Sequence, residues 1–184
     1  MRKEVSSWES ITAIRESLQE QYWNHWTQYD LFSFGWWLTL FINILFIYVA
    51  LKFIDRRRLF ELLTVGGIVI AISTLLDVIL IQFGFTAYPT SITPLSTSFF
   101  VSTYIVLPVV YMLLYQFCST WKKYMITTLI TSFTLAFIIE NLLRWANVYE
   151  YIKWNNFYSF IAYVGIGLIV KWFMIFFNSL YIQK

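Results

Sequence analysis

Charge, cysteine, histidine, proline and glycine are all scarce in this 184-residue chain, and each shortage removes a class of protein. Charged side chains make up 12% and apolar ones 59%, whereas an average soluble domain carries roughly a quarter charged residues. A water-soluble fold is excluded on that balance. The single cysteine, Cys118, has no thiol partner for an internal disulfide or a metal, so it is expected to pack. The single histidine, His25, is a poor basis for a metal site and reads first as an interfacial polar group, with an acid or base over the mouth of the bundle as the sharper alternative. No stretch is rich enough in Pro, Gly or Ser to form a linker, and no internal period appears.

What the chain does have is apolar runs that approach or exceed the ~20 residues a helix needs to cross ~30 Å of hydrocarbon. Five spans are expected, over 31–54, 62–85, 99–117, 124–143 and 157–181, forming one all-α bundle. None of these runs alternates, which excludes a β-barrel. Arg56, Arg57 and Arg58 in one short loop and Lys122 and Lys123 in another set orientation by the positive-inside rule. They place the N-terminus outside and the C-terminus in the cytoplasm. The net charge of +3 is then membrane-orienting, not a nucleic-acid footprint.

Residues 1–30 differ from the rest. Trp8, Ile11, Ile14, Leu18, Tyr22, Trp26 and Tyr29 recur at spacings of three and four, opposite Glu9, Arg15, Glu16, Gln19 and Glu20. Ser6 and Glu9 offer a capping box. The expectation is an amphipathic helix lying on the outer interface. The opening "MRKEVSSWES" has neither the apolar core nor the cleavage site of a signal peptide, so the N-terminus is expected to be retained.

Three ionisable residues fall inside the spans, where each costs roughly 2.5 to 3.5 kcal/mol at a helix centre and needs a partner or a purpose. Asp77 shares a stripe with Gly66, Ser73 and Gly84 and so faces another helix. Its expected partner is Tyr104, which shares a stripe with Pro108, Tyr111 and Tyr115; Pro108 is expected to free the carbonyl of Tyr104 and kink the span. Glu140 precedes Arg144 in the favourable i, i+4 order, which predicts an ion pair near the outer boundary. Lys171 either snorkels to the cytoplasmic interface or pairs with Asp77.

No phosphate loop, HExxH, nucleophile elbow, CxxC pair or dinucleotide fingerprint occurs, so no cofactor or metal is implied. The segments "GWWLTL", "DRRRLFE", "LLDVIL", "AYPTS", "LPVVYMLLYQF" and the Glu140 region with "VYEYIKW" after it resemble a family of small polytopic membrane proteins from endospore-forming bacteria. The resemblance covers most of the chain from the first span onward. It implies a bacterial plasma-membrane protein and carries no catalytic role. Asn141 stands where that family often has proline after the glutamate.

The functional expectation is a site for a hydrophobic or isoprenoid-like molecule in an outer-leaflet cavity. Asp77 and Glu140 serve there as acid and base, and Trp36, Asn43, Tyr104, Tyr111, Arg144 and Lys171 as contact groups. The alternatives are a small transporter, channel or ion-relay subunit, or a structural or sensory partner. The expected partners are membrane lipid or a hydrophobic small molecule, with a homo-oligomer or a membrane-protein complex also open.

Overall fold

The computed structural model describes residues 7–94 and 102–182. It is almost entirely helical. Helix α1 covers Trp8–His25, α2 Phe34–Phe53, α3 Leu59–Gln82, α4 Leu107–Phe117, α5 Trp121–Phe133, α6 Glu140–Trp145 and α7 Asn156–Ile182. Four stretches are long and apolar enough to cross a membrane: Phe34–Phe53, Arg56–Gln82, Trp121–Trp145 and Asn156–Phe177. A shorter apolar helix, Thr103–Phe117, completes the bundle among the described residues. Phe99 to Val101, the expected start of that span, lie outside them, as does Ser6. Helix α1 is capped instead by Ser7, whose hydroxyl accepts from the Ser10 amide.

Boundaries move for identifiable reasons. Helix α3 starts before the expected 62 because Asp55 caps a 3₁₀ turn, Arg56–Arg58, that runs directly into it. It ends at Gln82 because Gly84 turns left-handed, with φ of 65°, and lets the Phe85 amide donate back to the Leu80 carbonyl. Asn147, at φ of 57°, ends α6 in the same way, with the Val148 amide on the Leu143 carbonyl.

Helix α4, 11 residues long, is the most enclosed. Leu107, Pro108, Val109, Tyr111, Met112, Leu114 and Tyr115 are all buried, as expected of a helix apolar on every side. Gly66 lets it approach α3: a side chain there would meet Met112 Sδ at 3.2 Å. Gly167 does the same for α7, where an added Cβ would lie 2.6 Å from Thr128 Cγ2 and 3.1 Å from Tyr111 Cε1.

Both chain reversals that matter for the site lie at one end, where β1 (Thr86–Ala87) pairs antiparallel with β2 (Glu150–Tyr151). We call this the ribbon end. The opposite, arginine end carries Arg56 to Arg58 and the α4–α5 turn, with Gln116 closing α2 by donating to the Phe53 carbonyl and accepting from the Asp55 amide.

Three π-helical turns, Trp26–Asp30, Ser102–Val106 and Thr134–Ile139, lie in the ribbon half. The second changes the expected role of Pro108. The proline occupies the first turn of α4 just after a widened turn, a position where its missing amide interrupts no regular α-helical ladder. In the third, wide-turn carbonyls find side-chain donors: Asn156 Nδ2 reaches the Ala136 carbonyl at 2.5 Å and Asn141 Nδ2 the Phe137 carbonyl at 2.7 Å.

Candidate functional site

The ribbon creates a site from residues far apart in sequence. Its register sets Ala87 opposite Glu150, and one step further sets Tyr88 opposite Tyr149. Cross-strand neighbours pack face to face, and these two rings stack with centroids 5.2 Å apart. Tyr151 lies two residues beyond Tyr149, on the same face of an extended chain, and meets it edge-on at 5.2 Å.

Each outer tyrosine of this row ends on an intrahelical carboxylate. Tyr88 donates to Asp77 Oδ1 at 2.5 Å. Tyr151 donates to Glu140 Oε2 through a short hydrogen bond, and Tyr163 of α7 donates to Oε1 at 2.6 Å. Ser159 Oγ lies 3.5 Å from the Tyr151 hydroxyl and accepts from Trp154 Nε1 at 2.9 Å. Both carboxylates are buried. Burial pushes the Tyr88, Tyr149 and Tyr151 phenols up from their ordinary value of 10, so they remain neutral donors across the physiological range.

Asp77 and Glu140 line one cavity of about 70 Å³, together with Ser73, Tyr88, Tyr149, Ser159 and Tyr163. A second chamber of about 70 Å³ lies against it and shares Tyr88, Leu107, Glu140, Tyr149 and Tyr163. Its remaining wall is mostly aliphatic: Ile42, Val106, Leu135, Ile139 and Leu143, with Thr39. Glu140 and its tyrosines therefore form a partition between the cavity that holds Asp77 and a mostly aliphatic one. The π turn at Ser102–Val106 contributes to both walls, through Thr103 and Val106, and the turn at Thr134–Ile139 to the second through Leu135 and Ile139, a placement typical of functional sites.

The two residues expected to act as acid and base are thus brought together, but most of their expected companions are not. Glu140 and Arg144 form no ion pair. Arg144 donates to Asn141 Oδ1 at 3.2 Å and lays its guanidinium 4.4 Å over the Tyr151 ring. Asn141, held in addition by Asn156, draws the guanidinium aside from the carboxylate. Lys171 does not reach Asp77; its Nζ lies 4.7 and 5.0 Å from the rings of Tyr115 and Tyr124, toward the arginine end. Tyr111 donates to the Tyr163 carbonyl at 2.5 Å and is a strut between α4 and α7. Trp36 donates to the Ile92 carbonyl at 3.1 Å and so holds a loop instead of lining the cavity. Asn43 is buried with its amide on the Thr39 carbonyl at 2.7 Å, again a contact within its own helix. Tyr104 is half-buried in the π turn, whose neighbours Thr103 and Leu107 supply the cavity wall.

Sequence reading placed none of Tyr88, Tyr149, Tyr151, Tyr163 and Ser159 in the site. The alternation in "VYEY" was the available signal, since it turns both tyrosines to one face of any extended segment. A third acid, Asp30, was also missed. It is buried at the edge of the ribbon end, accepts from the Ser91 amide and hydroxyl at 3.0 and 3.3 Å, and lies 3.3 Å from His25 Nε2. Burial pushes its carboxyl above the ordinary 3.8, against the pull of those donors. Among the described residues no group of three His, Cys, Asp or Glu side chains is placed to hold a metal ion. No protein-family model, curated protein or solved structure matches this chain.

Proposed function

We propose that the chain is a multi-pass membrane protein whose Asp77 and Glu140 take up and release protons, as a relay coupled to movement of an ion or solute or to a change of conformation. The observation that carries this reading is that both oxygens of Glu140 are already engaged by phenol donors, while the Tyr151 hydroxyl has an alternative acceptor in Ser159. A carboxylate only accepts; a carboxylic acid must also donate. A proton added to Glu140 makes one of those oxygens a donor and a weaker acceptor, which loosens its hold on Tyr151 or Tyr163, and Ser159 is in place to receive the Tyr151 hydroxyl. Protonation and side-chain rearrangement are coupled by that geometry.

Volume favours the relay over the enclosed lipid-like substrate expected from sequence. Drug-sized ligands occupy roughly 300 to 1,000 Å³, far more than the 70 Å³ between the two acids. The apolar chamber beside Glu140 supports a second reading, in which a narrow hydrocarbon segment from the lipid enters and meets Glu140 as an acid or base.

In this reading five helices span the plasma membrane of a bacterium, the ribbon end faces outward, and the arginine end faces the cytoplasm with the C-terminus. Helix α1 lies along the outer interface, and exposed Trp8, Ile14 and Trp23 supply its lipid-facing groups. Five helices enclose little space, so ion movement calls for a homo-oligomer or a membrane-protein partner.

The test is proton uptake by the purified protein in lipid nanodiscs after a pH jump, read with a pH dye. Asp77→Asn and Glu140→Gln should each remove a proton from the stoichiometry while leaving the helical spectrum unchanged. Wild-type uptake in both variants would overturn the reading. Mass spectrometry of co-purified lipids would then decide the hydrocarbon alternative.

A further inference from the structure

A larger space lies above the carboxylate site. The end of α1, the loop from β1 to Pro94 and strand β2 surround a cleft of about 610 Å³, within the size range of small-molecule sites and well above that of the two inner chambers. Tyr88 forms part of its wall and also of both chambers below.

The lining has a definite chemistry. Among the described residues its formally charged members are Asp30 and Glu150, His25 is the other titratable side chain besides Tyr22 and Tyr88, and no lysine or arginine belongs to the wall. Asp30 is buried, and its orientation is fixed by two hydrogen bonds from Ser91 to one oxygen, leaving the other toward His25. The Tyr22 and Tyr88 rings add π faces. Leu18, Ile81, Ala87 and Ile152 add aliphatic surface, which an inorganic ion would not use.

Carboxylates and aromatic faces around an apolar pocket are the combination that recognises an organic cation, through charge and cation–π attraction. We infer that this cleft binds a small organic amine or quaternary ammonium compound, with Asp30 and Glu150 as its counter-charges and Tyr22 and Tyr88 as its aromatic walls. Ligand contact with Tyr88 bears directly on Asp77, because the same side chain donates to that acid. Binding in the cleft does not depend on proton handling below it.

The walls also provide a reporter. Trp26 and Trp36 both donate to the Ile92 carbonyl at 3.1 Å, in the loop that carries Ser91 and Thr93 of the lining. The experiment is a titration of the full chain in nanodiscs with choline and with its neutral carbon isostere dimethylbutanol, followed by tryptophan fluorescence and calorimetry. Choline should bind saturably and at least about tenfold more tightly than the isostere, the ratio that ~1.4 kcal/mol supplies. Glu150→Gln, at an exposed ribbon position, should weaken choline severalfold without changing the isostere, and Asp30→Asn should weaken it further. Equal affinity for the two probes, no choline binding, or unchanged choline affinity in Glu150→Gln would each overturn the inference. The last variant keeps the test decisive even where Asp30→Asn disturbs the Ser91 loop.

Discussion

The two ends of the bundle use the same side-chain types for different purposes. At the ribbon end, phenols donate to carboxylates: Tyr88 to Asp77, and Tyr151 and Tyr163 to Glu140, around a cavity. Toward the arginine end, Tyr111 and Tyr124 donate to backbone, at the Tyr163 carbonyl and, at 2.9 Å, the Gly167 carbonyl, while the Tyr115 hydroxyl is directed at Glu61, an acid already bridged to Arg58. The charged groups there settle locally as well. Arg58 and Glu61 pair in a bidentate bridge at 2.7 and 3.0 Å, and Lys171 rests on two rings. A hydroxyl committed to a main-chain carbonyl joins helices. One committed to a titratable acid changes its hydrogen bonding whenever that acid changes protonation. The comparison teaches that polarity inside an apolar bundle is not by itself a site; an acid held only among phenols around a cavity, as Glu140 is, differs from a backbone carbonyl and from an acid bridged to arginine.

The largest effect that bears on this contrast is expected from Glu140→Leu. Tyr151 and Tyr163 lose their acceptor; Tyr151 can turn to Ser159, but Tyr163 is stranded at about 1 to 3 kcal/mol, so thermal unfolding in detergent should fall below wild type, while Glu140→Gln keeps an acceptor and falls less. Equal stability of the two variants would show that the phenols do not depend on that acid. Next comes Gly167→Ala. The new methyl would sit 2.6 Å from Thr128 Cγ2, and overpacking of this kind costs about 1 to 3 kcal/mol. Proton uptake should survive it, because the strain falls on the structural half.

Lys171→Met should cost less, about 1 kcal/mol or under for the lost cation–π contacts, with uptake unaffected. Loss of uptake in that variant would break the separation between the two ends. The smallest effect concerns Asp30, outside the spans. Its carboxyl is raised in the folded state, so the folded chain holds that proton more tightly than the unfolded chain does. Stability from this residue is complete below the ordinary value of 3.8 and declines as pH rises through the raised one. Asp30→Asn should flatten that acid-side slope in denaturant titrations, and an unchanged slope would assign it to another group.

Much of the architecture was legible because burying a helix backbone in hydrocarbon requires a long uninterrupted apolar run, and such runs cannot be hidden in a sequence. Asp77 was legible for a related reason: a charge flanked by Gly66 and Ser73 on one stripe has to face protein. Its hydrogen bond from Tyr88 was not. Tyr88 reaches Asp77 through a ribbon of two residues per strand, and no strand that short has a periodicity to read. Glu140 with Arg144 illustrates the opposite failure. The spacing was right for a pair, yet Asn141 and the Tyr151 ring, the latter brought by the same ribbon, compete for the guanidinium.

The sequence alone determined that the chain is a helical bundle with apolar spans and with buried carboxylates on two of them, since composition and helical period follow from local chemistry. Only the tertiary structure decided that Asp77 and Glu140 share one cavity, that tyrosines from the loops link them, and that Lys171 belongs to the other end. Those outcomes depend on which of several competing donors and acceptors arrive at the same point, and that is set by how the helices and the ribbon pack.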